Sequence, residues 1–338
     1  MNGFVNKSPE EKRIFIQQGA LRSNLVETII EKDFWVCWLL RKLFLLPGIS
    51  EHLIFKGGTS LSKAYNLIKR FSEDIDISID RALLGFTGNM DPMAAQSRTA
   101  RDRRLEDLQA ACINAIKNQL VPALTKAIAK DINRGGEVEI DKEDPLAVLF
   151  YFPSALQKGA FSYITPYVKL EFGARADPWP QEERTIRSYL SEQFPEQISE
   201  DDNPLIRILG VERTFWEKVT ILHAEHYRPS TKALPNRLSR HYYDLHVLLT
   251  NPVGEKAARD LALLERVVKH KQVFFRSSWA HYEEAKPGTL KILPTDSQRD
   301  LLKIDYDNMR EMFFTDPPRF EEILGSLKKL EDGINKRA

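Results

Sequence analysis

The sequence predicts a mixed α/β domain followed by a helical domain, and three features of the residue pattern lead to this expectation. Residues 52–79 read as a strand, a glycine turn, a helix and a second strand in close succession. Further strand-like stretches lie at 138–140, 147–152 and 167–172. From residue 206 onward, apolar residues recur at helical spacing. We therefore expect a mixed sheet flanked by helices over residues 1–205 and a helical domain over residues 206–338.

Helices are expected on both sides of the strand-forming region. Between Glu10 and Leu46 the apolar residues recur with a period near 3.6 residues, which predicts one or two helices ended by Pro47-Gly48. A helix led by Thr59 should run to about Lys69, and residues 93–133 show the helical period again. The proline-containing stretch 173–205 predicts loops and holds the expected domain boundary. Five helices are expected after it, at 208–223, 242–249, 255–269, 296–313 and 319–335.

Composition excludes several classes of protein. The 338 residues include 49 Lys and Arg against 48 Asp and Glu, so the chain lacks the large net positive charge of a protein that coats nucleic acid. The two cysteines, Cys37 and Cys112, are too few for a disulfide framework or a cysteine-based zinc module. No window approaches the roughly 18 apolar residues of a membrane span, and residues 1–10 lack the pattern of a signal peptide. We expect a soluble cytoplasmic protein with no disulfides.

The glycine turn is the first feature that suggests chemistry. Gly57 and Gly58 follow the first strand, and glycines there let the backbone turn sharply and approach a ligand without an intervening Cβ. Thr59 and Ser60 should begin a helix, where free N–H groups suit a phosphate. With Lys63, which ends the same motif, these residues form the candidate nucleotide-binding set.

A pair of carboxylates follows this turn. Asp74 and Asp76 are two residues apart in a predicted strand, so both side chains should point to one face while the isoleucines between and after them fill the core. Two adjacent carboxylates repel one another unless a cation lies between them, and Mg²⁺ prefers such oxygen ligands together with substrate phosphates. An exposed acidic face and an ordinary capped turn are the plain alternatives for each motif alone, but their joint spacing favours a metal and phosphate site.

These motifs resemble those of a known enzyme superfamily. Gly57-Gly58-Thr59 followed by Asp74-x-Asp76 is similar to the first motif of nucleotidyltransferases with the DNA polymerase β-like fold. The fuller strings FKGGTSLSKAY and RFSEDIDISI resemble the AbiEii family, the nucleotidyltransferase toxins of AbiE-type toxin–antitoxin and phage-defence systems. The resemblance extends from Glu31-Lys32-Asp33 to about Leu249. It implies a polymerase-β-like nucleotidyltransferase sheet, with the active site in a cleft between the two domains.

A third acid is implied by the resemblance on a later strand. In the stretch 167–172, alternation places Lys169 and Glu171 on the face opposite the apolar residues, so Glu171 is the candidate third metal ligand. An exposed strand glutamate paired with Lys169 is the alternative. The superfamily more often has aspartate at this place, which leaves open whether Glu171 touches a metal directly.

Two helical motifs in the second half also resemble the family. Lys218 maps onto a lysine that contacts nucleotide phosphates, and Asp244, which follows Arg240, maps onto the functional aspartate of the final motif. From the residues alone, Lys218 and Asp244 are more often expected on a solvated helix face or in a salt bridge to each other. Asp244 could orient Lys218 or Arg240, or act as a base toward the acceptor, and the sequence leaves these roles open.

Charge is distributed unevenly along the chain. Residues 1–205 carry 26 Lys and Arg against 29 Asp and Glu, whereas residues 206–338 carry 23 against 19. The stretch from His226 to Tyr243 holds four cations and no acid, and Arg240 is the last of them. Such a loop suits triphosphate or RNA phosphates, although an ordinary solvated basic loop is the alternative.

The resulting expectation is an enzyme that transfers a nucleoside monophosphate from an NTP to an acceptor, with Mg²⁺ as cofactor and Mn²⁺ as a possible substitute. The family resemblance implies a growth-inhibiting toxin with tRNA or other RNA as acceptor and an antitoxin encoded nearby. A nucleotidyltransferase acting on a small molecule or a protein is the main alternative. An inactive nucleotide-binding or RNA-binding scaffold and a phosphotransferase of the same fold are weaker ones.

Overall fold

The computed structural model describes residues 1–156, 165–198 and 203–337, so Asp201 and Asp202 of the predicted loop lie outside the described residues. The chain forms two compact units. The first comprises Met1–Ala64 and Phe71–Ile208, and the second comprises Tyr65–Arg70 and Leu209–Ala338. The segment Tyr65–Arg70 lies in the sequence between the glycine turn and the paired aspartates of the first unit, but it belongs to the second unit. None of the described helices combines the length and the apolar character needed to cross a bilayer.

A seven-stranded mixed sheet organises the first unit. Its strands are β1 (Leu53–Lys56), β2 (Ile75–Ile79), β3 (Glu137–Ile140), β4 (Ala147–Tyr151), β5 (Val168–Gly173), β6 (Gln181–Arg184) and β7 (Ile206–Leu209). Their order across the sheet is β3-β4-β5-β2-β1-β7-β6. β2 runs antiparallel to β1 and parallel to β5, and β1 runs parallel to β7. The predicted mixed α/β fold with flanking helices is confirmed.

Helices surround this sheet in the first unit. They are α1 (Asn2–Val5), α2 (Pro9–Ser23), α3 (Glu27–Phe44), α4 (Gly57–Lys63), α5 (Arg98–Ala115), α6 (Val121–Ala129) and α7 (Tyr189–Gln193), with a π-helical turn at Ile116–Leu120 joining α5 to α6. The expectation for the helix after the glycines is wrong at both ends, because α4 begins at Gly57 and stops at Lys63 rather than Lys69. The loop prediction for 173–205 is also incomplete, because β6 and α7 lie within it.

Aromatic packing joins α3 to β4. The indole of Trp35 stacks on Phe152 with ring centroids 5.6 Å apart, and that of Trp38 stacks on Phe150 at 5.8 Å. Both tryptophans are at most 1% exposed. Trp35, Trp38 and Trp216 fall at core spacings in the sequence, which predicts a packing role for each. Burial confirms this role for Trp35 and Trp38, and their contacts explain why α3 covers the sheet.

The second unit is helical. Its helices are α8 (Val211–His226), α9 (Ser239–Leu249), α10 (Pro252–Ala257), α11 (Leu261–Phe274), α12 (Asp296–Asn308) and α13 (Phe320–Asn335). The helix expected from residue 208 begins at Val211 instead, because Ile206–Leu209 forms β7 beside β1. The helix expected over 255–269 is two helices, α10 and α11. Trp216 of α8 is fully buried, as predicted.

Replacing Trp38 by alanine should destabilise the first unit strongly. Deleting a buried aromatic side chain removes its transfer free energy and leaves a cavity, so Trp38→Ala should lower the free energy of unfolding by about 3–5 kcal/mol. Leu21 on α2 is 76% exposed, and Leu21→Ala should change it by less than about 0.5 kcal/mol. Urea denaturation of both variants measures the difference. Equal effects would contradict the core assignment.

Candidate active site

Three carboxylates come together where β2 and β5 run side by side. In the parallel register, Asp76 of β2 lies directly beside Glu171 of β5. Asp74 immediately precedes β2, which begins one residue later than the predicted strand. The alternation is as predicted, since Ile75 and Ile77 are fully buried while Asp74 and Asp76 are partly exposed. The sheet therefore gathers the three acids that the sequence predicted as a set.

The electrostatics of this set are those of crowded like charges. Burial and the neighbouring carboxylates of Glu73, Glu171 and Asp76 together raise the pKa of Asp74 to about 6, against the opposing charge of Lys32. A raised carboxyl pKa means that the ionised form is disfavoured in the fold. An added cation would relieve this repulsion.

Two lysines accompany the carboxylates. The ammonium of Lys56 lies 3.6 Å from Asp76, and that of Lys169 lies 2.7 Å from Glu171. The pairing of Glu171 with Lys169 is the alternative left open by the sequence, and it coexists here with the register beside Asp76. Within the described ranges, no three His, Cys, Asp or Glu side chains are grouped closely enough to hold a metal ion by themselves.

The donor chemistry nevertheless fits a hard divalent cation. Carboxylate oxygens are the ligands that Mg²⁺ takes in proteins, and it usually binds through one or two of them and completes its shell with water and substrate phosphates. Burial and the neighbouring carboxylates raise the pKa of Asp74, and the opposing charge of Lys32 does not offset them. The set is thus suited to a cation that arrives with a phosphorylated substrate.

Gly57 is required by its contact with Asp76. Its φ is +81°, and a Cβ built on it would lie 2.0 Å from Oδ2 of Asp76. Only glycine accepts both the left-handed backbone and this approach without strain. The glycine predicted to approach a ligand therefore also makes room for a candidate metal ligand.

The hydroxyls after the glycines are used within the protein. Thr59 Oγ1 donates to the carbonyl oxygen of Asp74 at 2.5 Å and lies 2.9 Å from Ser72 Oγ. Ser60 Oγ donates to the carbonyl of Gly57 at 2.9 Å. Both side chains are fully buried. Thr59 and Ser60 thus shape the turn around the carboxylates, and their contact with a nucleotide stays a prediction.

Lys63 lies in a different environment from the one the sequence suggested. Its ammonium pairs with Asp33 at 2.8 Å and lies over the ring of Tyr189, and the side chains of the pair are at most 5% exposed. Asp33 also accepts a hydrogen bond from the backbone N–H of Tyr189 at 2.7 Å. This ion pair joins α3, α4 and α7, which favours a structural role for Lys63 over the predicted nucleotide contact.

A second cluster of charges lies within the second unit. Lys218 of α8 donates to Asp244 Oδ2 of α9 at 2.8 Å. Arg70 binds the same carboxylate with two hydrogen bonds, from Nε to Oδ1 at 2.7 Å and from its terminal nitrogen to Oδ2 at 2.8 Å. All three side chains are nearly or fully buried. The two residues from the helical motifs therefore meet, in the salt bridge that the sequence had left as an alternative.

Sequence reasoning missed Arg70. It opens the string RFSEDIDISI, but no partner was assigned to it. A cation at the start of a motif that holds three acids was the available signal, and its partner Asp244 is 174 residues away.

The charges around Asp244 limit what it can do. Burial opposes its ionisation, but the Arg70 guanidinium and the Lys218 ammonium more than offset burial and hold the pKa of Asp244 well below its usual range. A carboxylate so stabilised is a weak proton acceptor near neutral pH. Of the roles left open, orienting Lys218 is favoured over acting as a base.

The basic stretch after α8 is partly neutralised. Arg228 pairs with Glu225 and lies over the ring of Trp279, with 4.7 Å to the ring centroid. Arg240, in contrast, is half-buried in α9, and its guanidinium finds no acceptor among the residues that the structure describes. Arg240 is thus the cation of this stretch that is better placed to meet a phosphate.

The histidines of α8 are held by backbone groups. His223 Nε2 lies 2.9 Å from the carbonyl of His281, and its Nδ1 accepts from the N–H of Lys291 at 3.1 Å. His226 Nδ1 lies 2.7 Å from the carbonyl of Leu293. These contacts fix both rings within the second unit and give them a structural role.

A comparison with known families identifies the family of the chain. The profile of the family described as "Nucleotidyl transferase AbiEii toxin, Type IV TA system" matches residues 38–326. The chain belongs to the AbiEii family. It is a nucleotidyltransferase toxin of a type IV toxin–antitoxin system, and the family implies an NTP substrate and an antitoxin partner.

Solved structures and curated proteins give different results. The solved structure of MenT4, a nucleotidyltransferase toxin from Mycobacterium tuberculosis H37Rv, is similar over 94% of this chain and 98% of that chain, at 16% sequence identity and a TM-score of 0.45. No curated protein matches this AbiEii sequence.

The Gly57 contact predicts a loss of both stability and transferase activity on adding one methyl group. Gly57→Ala should displace the Asp76 carboxylate, lower the free energy of unfolding by about 1–3 kcal/mol and reduce transfer at least ~10-fold. Gly85 is the matched control, because it has the same φ of +81° but open space around it. Gly85→Ala should lose only the stability that backbone strain costs and should keep its transferase activity. Equal loss of activity in the two variants would contradict the contact.

The crowded carboxylates predict that Asp74→Asn stabilises the metal-free protein. Because the pKa of Asp74 is raised to about 6, the folded state binds more protons than the unfolded state between about pH 4 and 6. Wild-type stability should therefore fall as pH rises through this window. Asp74→Asn should gain about 1 kcal/mol at pH 7.5, or ~2–4 °C in Tm, and nothing near pH 4.

This gain should be measured by thermal unfolding in the presence of a chelator. Glu10→Gln, which changes an exposed acid on α2, should leave Tm unchanged at both pH values. A lower Tm for Asp74→Asn than for wild type at pH 7.5 would rule out repulsion as the cause.

Proposed function

We propose that this AbiEii toxin transfers a nucleoside monophosphate from an NTP to RNA, with tRNA as the expected acceptor and pyrophosphate as the second product. The observation that carries the proposal is the register of β2 and β5, in which Asp76 lies beside Glu171 and Asp74 is two residues from Asp76. Carboxylates that repel one another beside a glycine turn are suited to a cation and a triphosphate.

Asp74, Asp76 and Glu171 are the residues that would hold Mg²⁺, with Mn²⁺ as a substitute. Bound there, the cation would neutralise charge on the attacking and leaving oxygens of phosphoryl transfer. The ion pairs that Lys56 and Lys169 make with Asp76 and Glu171 would have to open for the carboxylates to take up this role. Both pairs lie at the partly exposed face, where an ion pair contributes little to the free energy of unfolding, so opening them costs little.

Residues around the carboxylates would bind the triphosphate. The backbone of Gly57 and Gly58 can approach phosphate oxygens closely because neither residue carries a side chain. Thr59 and Ser60 would act mainly through their backbone, since both hydroxyls already donate within the turn. We assign the phosphate contacts of the second unit to Lys218 and Arg240, and the orientation of Lys218 to Asp244. Arg240 is favoured by its uncommitted guanidinium.

The biological part of the proposal follows from the family. A toxin that modifies tRNA would arrest translation and growth, and the cognate antitoxin would relieve the arrest. Phage defence and a cytoplasmic location, where NTPs and tRNA are found, belong to the same proposal.

Label transfer tests the reaction. The protein is incubated with each of the four α-labelled NTPs, Mg²⁺ and either total RNA or total protein, and the label is followed with the release of pyrophosphate. We expect label in RNA. Asp76→Asn and Glu171→Gln should each lower transfer at least ~100-fold, because each removes charge from the proposed metal site.

The matched control is Glu137→Gln, an exposed acid on the edge strand β3 of the same sheet, which should transfer like wild type. Wild-type protein that transfers nothing, or Asp76→Asn that transfers normally, would contradict the proposal. Label in protein would change the acceptor, and release of a nucleoside diphosphate would indicate a phosphotransferase.

A further inference from the structure

Lys32 is a buried cation in the first half of α3. Its side chain is 1% exposed on α3, between Glu31 and Asp33, which are also buried. An ammonium that loses its hydration is tolerated only when acceptors replace the water. The positions of these acceptors therefore show what the charge holds in place.

The ammonium donates to two separate parts of the first unit. It contacts Glu73 Oε2 at 2.5 Å, and both the carbonyl and the hydroxyl oxygen of Thr165 at 2.9 and 2.8 Å. It also lies 5.8 Å from the ring centroid of Tyr167. A lysine ammonium has three N–H donors, so it can hold oxygens of both segments at once.

Both acceptors lie just ahead of the candidate catalytic strands. Glu73 directly precedes Asp74 in the sequence, and Thr165 lies three residues before β5, the strand of Glu171. Because β2 and β5 are parallel neighbours, the segments that lead into them lie at the same end of the sheet. Lys32 thus joins the two segments whose strands set Asp76 beside Glu171.

The segment before β2 is held from a second direction as well. Thr59 Oγ1 of α4 donates to the carbonyl of Asp74 and contacts Ser72 Oγ. The helix of Lys32 is itself anchored at the neighbouring residue, where Glu31 accepts from the N–H of Ala155 at 2.6 Å. Lys32 therefore acts from a fixed support, and residues 72–74 have little freedom to shift.

We propose that Lys32 is a positioning residue for nucleotidyl transfer, which sets the separation of Asp74 from Glu171 by joining Glu73 to Thr165. Its ammonium donates to Glu73 and Thr165, so its effect on transfer passes through the carboxylates. The inference rests on the proposed function of these carboxylates, but it makes a separate statement about their alignment.

Lys32→Met tests the inference, with Glu31→Ala as the matched control on the same helix. Both variants remove a buried charge, but Glu31 holds residues 154 and 155 rather than the segments before β2 and β5. Residues of this supporting kind typically change metal affinity or activity 10–100-fold. We expect Lys32→Met to lower kcat by ~10–100-fold and to raise the Mg²⁺ concentration for half-maximal activity about 10-fold, with KM for the NTP changed less than ~3-fold.

A purely structural role would give a different result. It would lower the stability of both variants and leave kcat per folded molecule near that of wild type. Equal kcat in Lys32→Met and wild type, or an equal loss in Glu31→Ala, would overturn the inference. If Lys32→Met does not fold, Thr165→Val decides, because it removes one acceptor and keeps the ion pair. It should lower kcat by about 3–10-fold, and no change would overturn the inference.

Hydrogen exchange separates this inference from the proposed function. In metal-free protein, the amides of residues 72–76 and 165–169 should exchange at least ~10-fold faster in Lys32→Met than in wild type, and unchanged in Glu31→Ala. This outcome does not require activity. Wild-type protein that transfers nothing would overturn the proposed function alone, whereas unchanged exchange in Lys32→Met would overturn the positioning role of Lys32.

Discussion

The parallel register of β2 and β5 is the constraint on which the candidate site depends. Isoleucines of β2 and apolar residues of β5 alternate with the acids, and the apolar positions are buried. Because side chains in a strand alternate with a period of two, a slip of one residue would bury the carboxylates and expose the core. The same burial that stabilises the sheet therefore aligns Asp76 with Glu171. Like charges placed side by side are destabilising, so the apolar contacts must outweigh the repulsion that they impose.

Buried charged side chains bind several of the segments around this register. Glu31, Lys32 and Asp33 are consecutive on α3, and each binds a different segment of the first unit. Within the second unit, Arg70 and Lys218 share the carboxylate of Asp244. Replacing such a pair by apolar residues often leaves stability unchanged, whereas removing one partner strands a buried charge. These pairs therefore contribute more to a defined geometry than to net stability.

The local features of the site could be predicted from the sequence, and the long-range ones could not. The alternation that set Asp74, Asp76 and Glu171 apart from the core is a period of two, which a short window reveals. The partner of Lys63 is 30 residues away, and nothing near Lys63 in the sequence indicates that it would form a buried ion pair with Asp33. Strand β7 was predicted as helix because its four residues run directly into α8, and so short an apolar run fits either period. The resemblance supplied Lys218 and Asp244, but only the structure shows the bidentate contact of Arg70.

The two units concentrate opposite kinds of charge at their candidate residues. In the first unit, acids lie near one another, and burial together with the neighbouring carboxylates raises the pKa of Asp74. In the second, Arg70, Lys218 and Arg240 exceed the one carboxylate of Asp244. The near-zero net charge of the chain is therefore a sum of two local imbalances rather than an even mixture. Clustered acids favour a cation and clustered basic groups favour phosphate, so each unit by itself offers one kind of binding group. Neither kind of binding group could be inferred from the total charge, because a formal charge summed over 338 residues hides local clusters of acids and of basic groups.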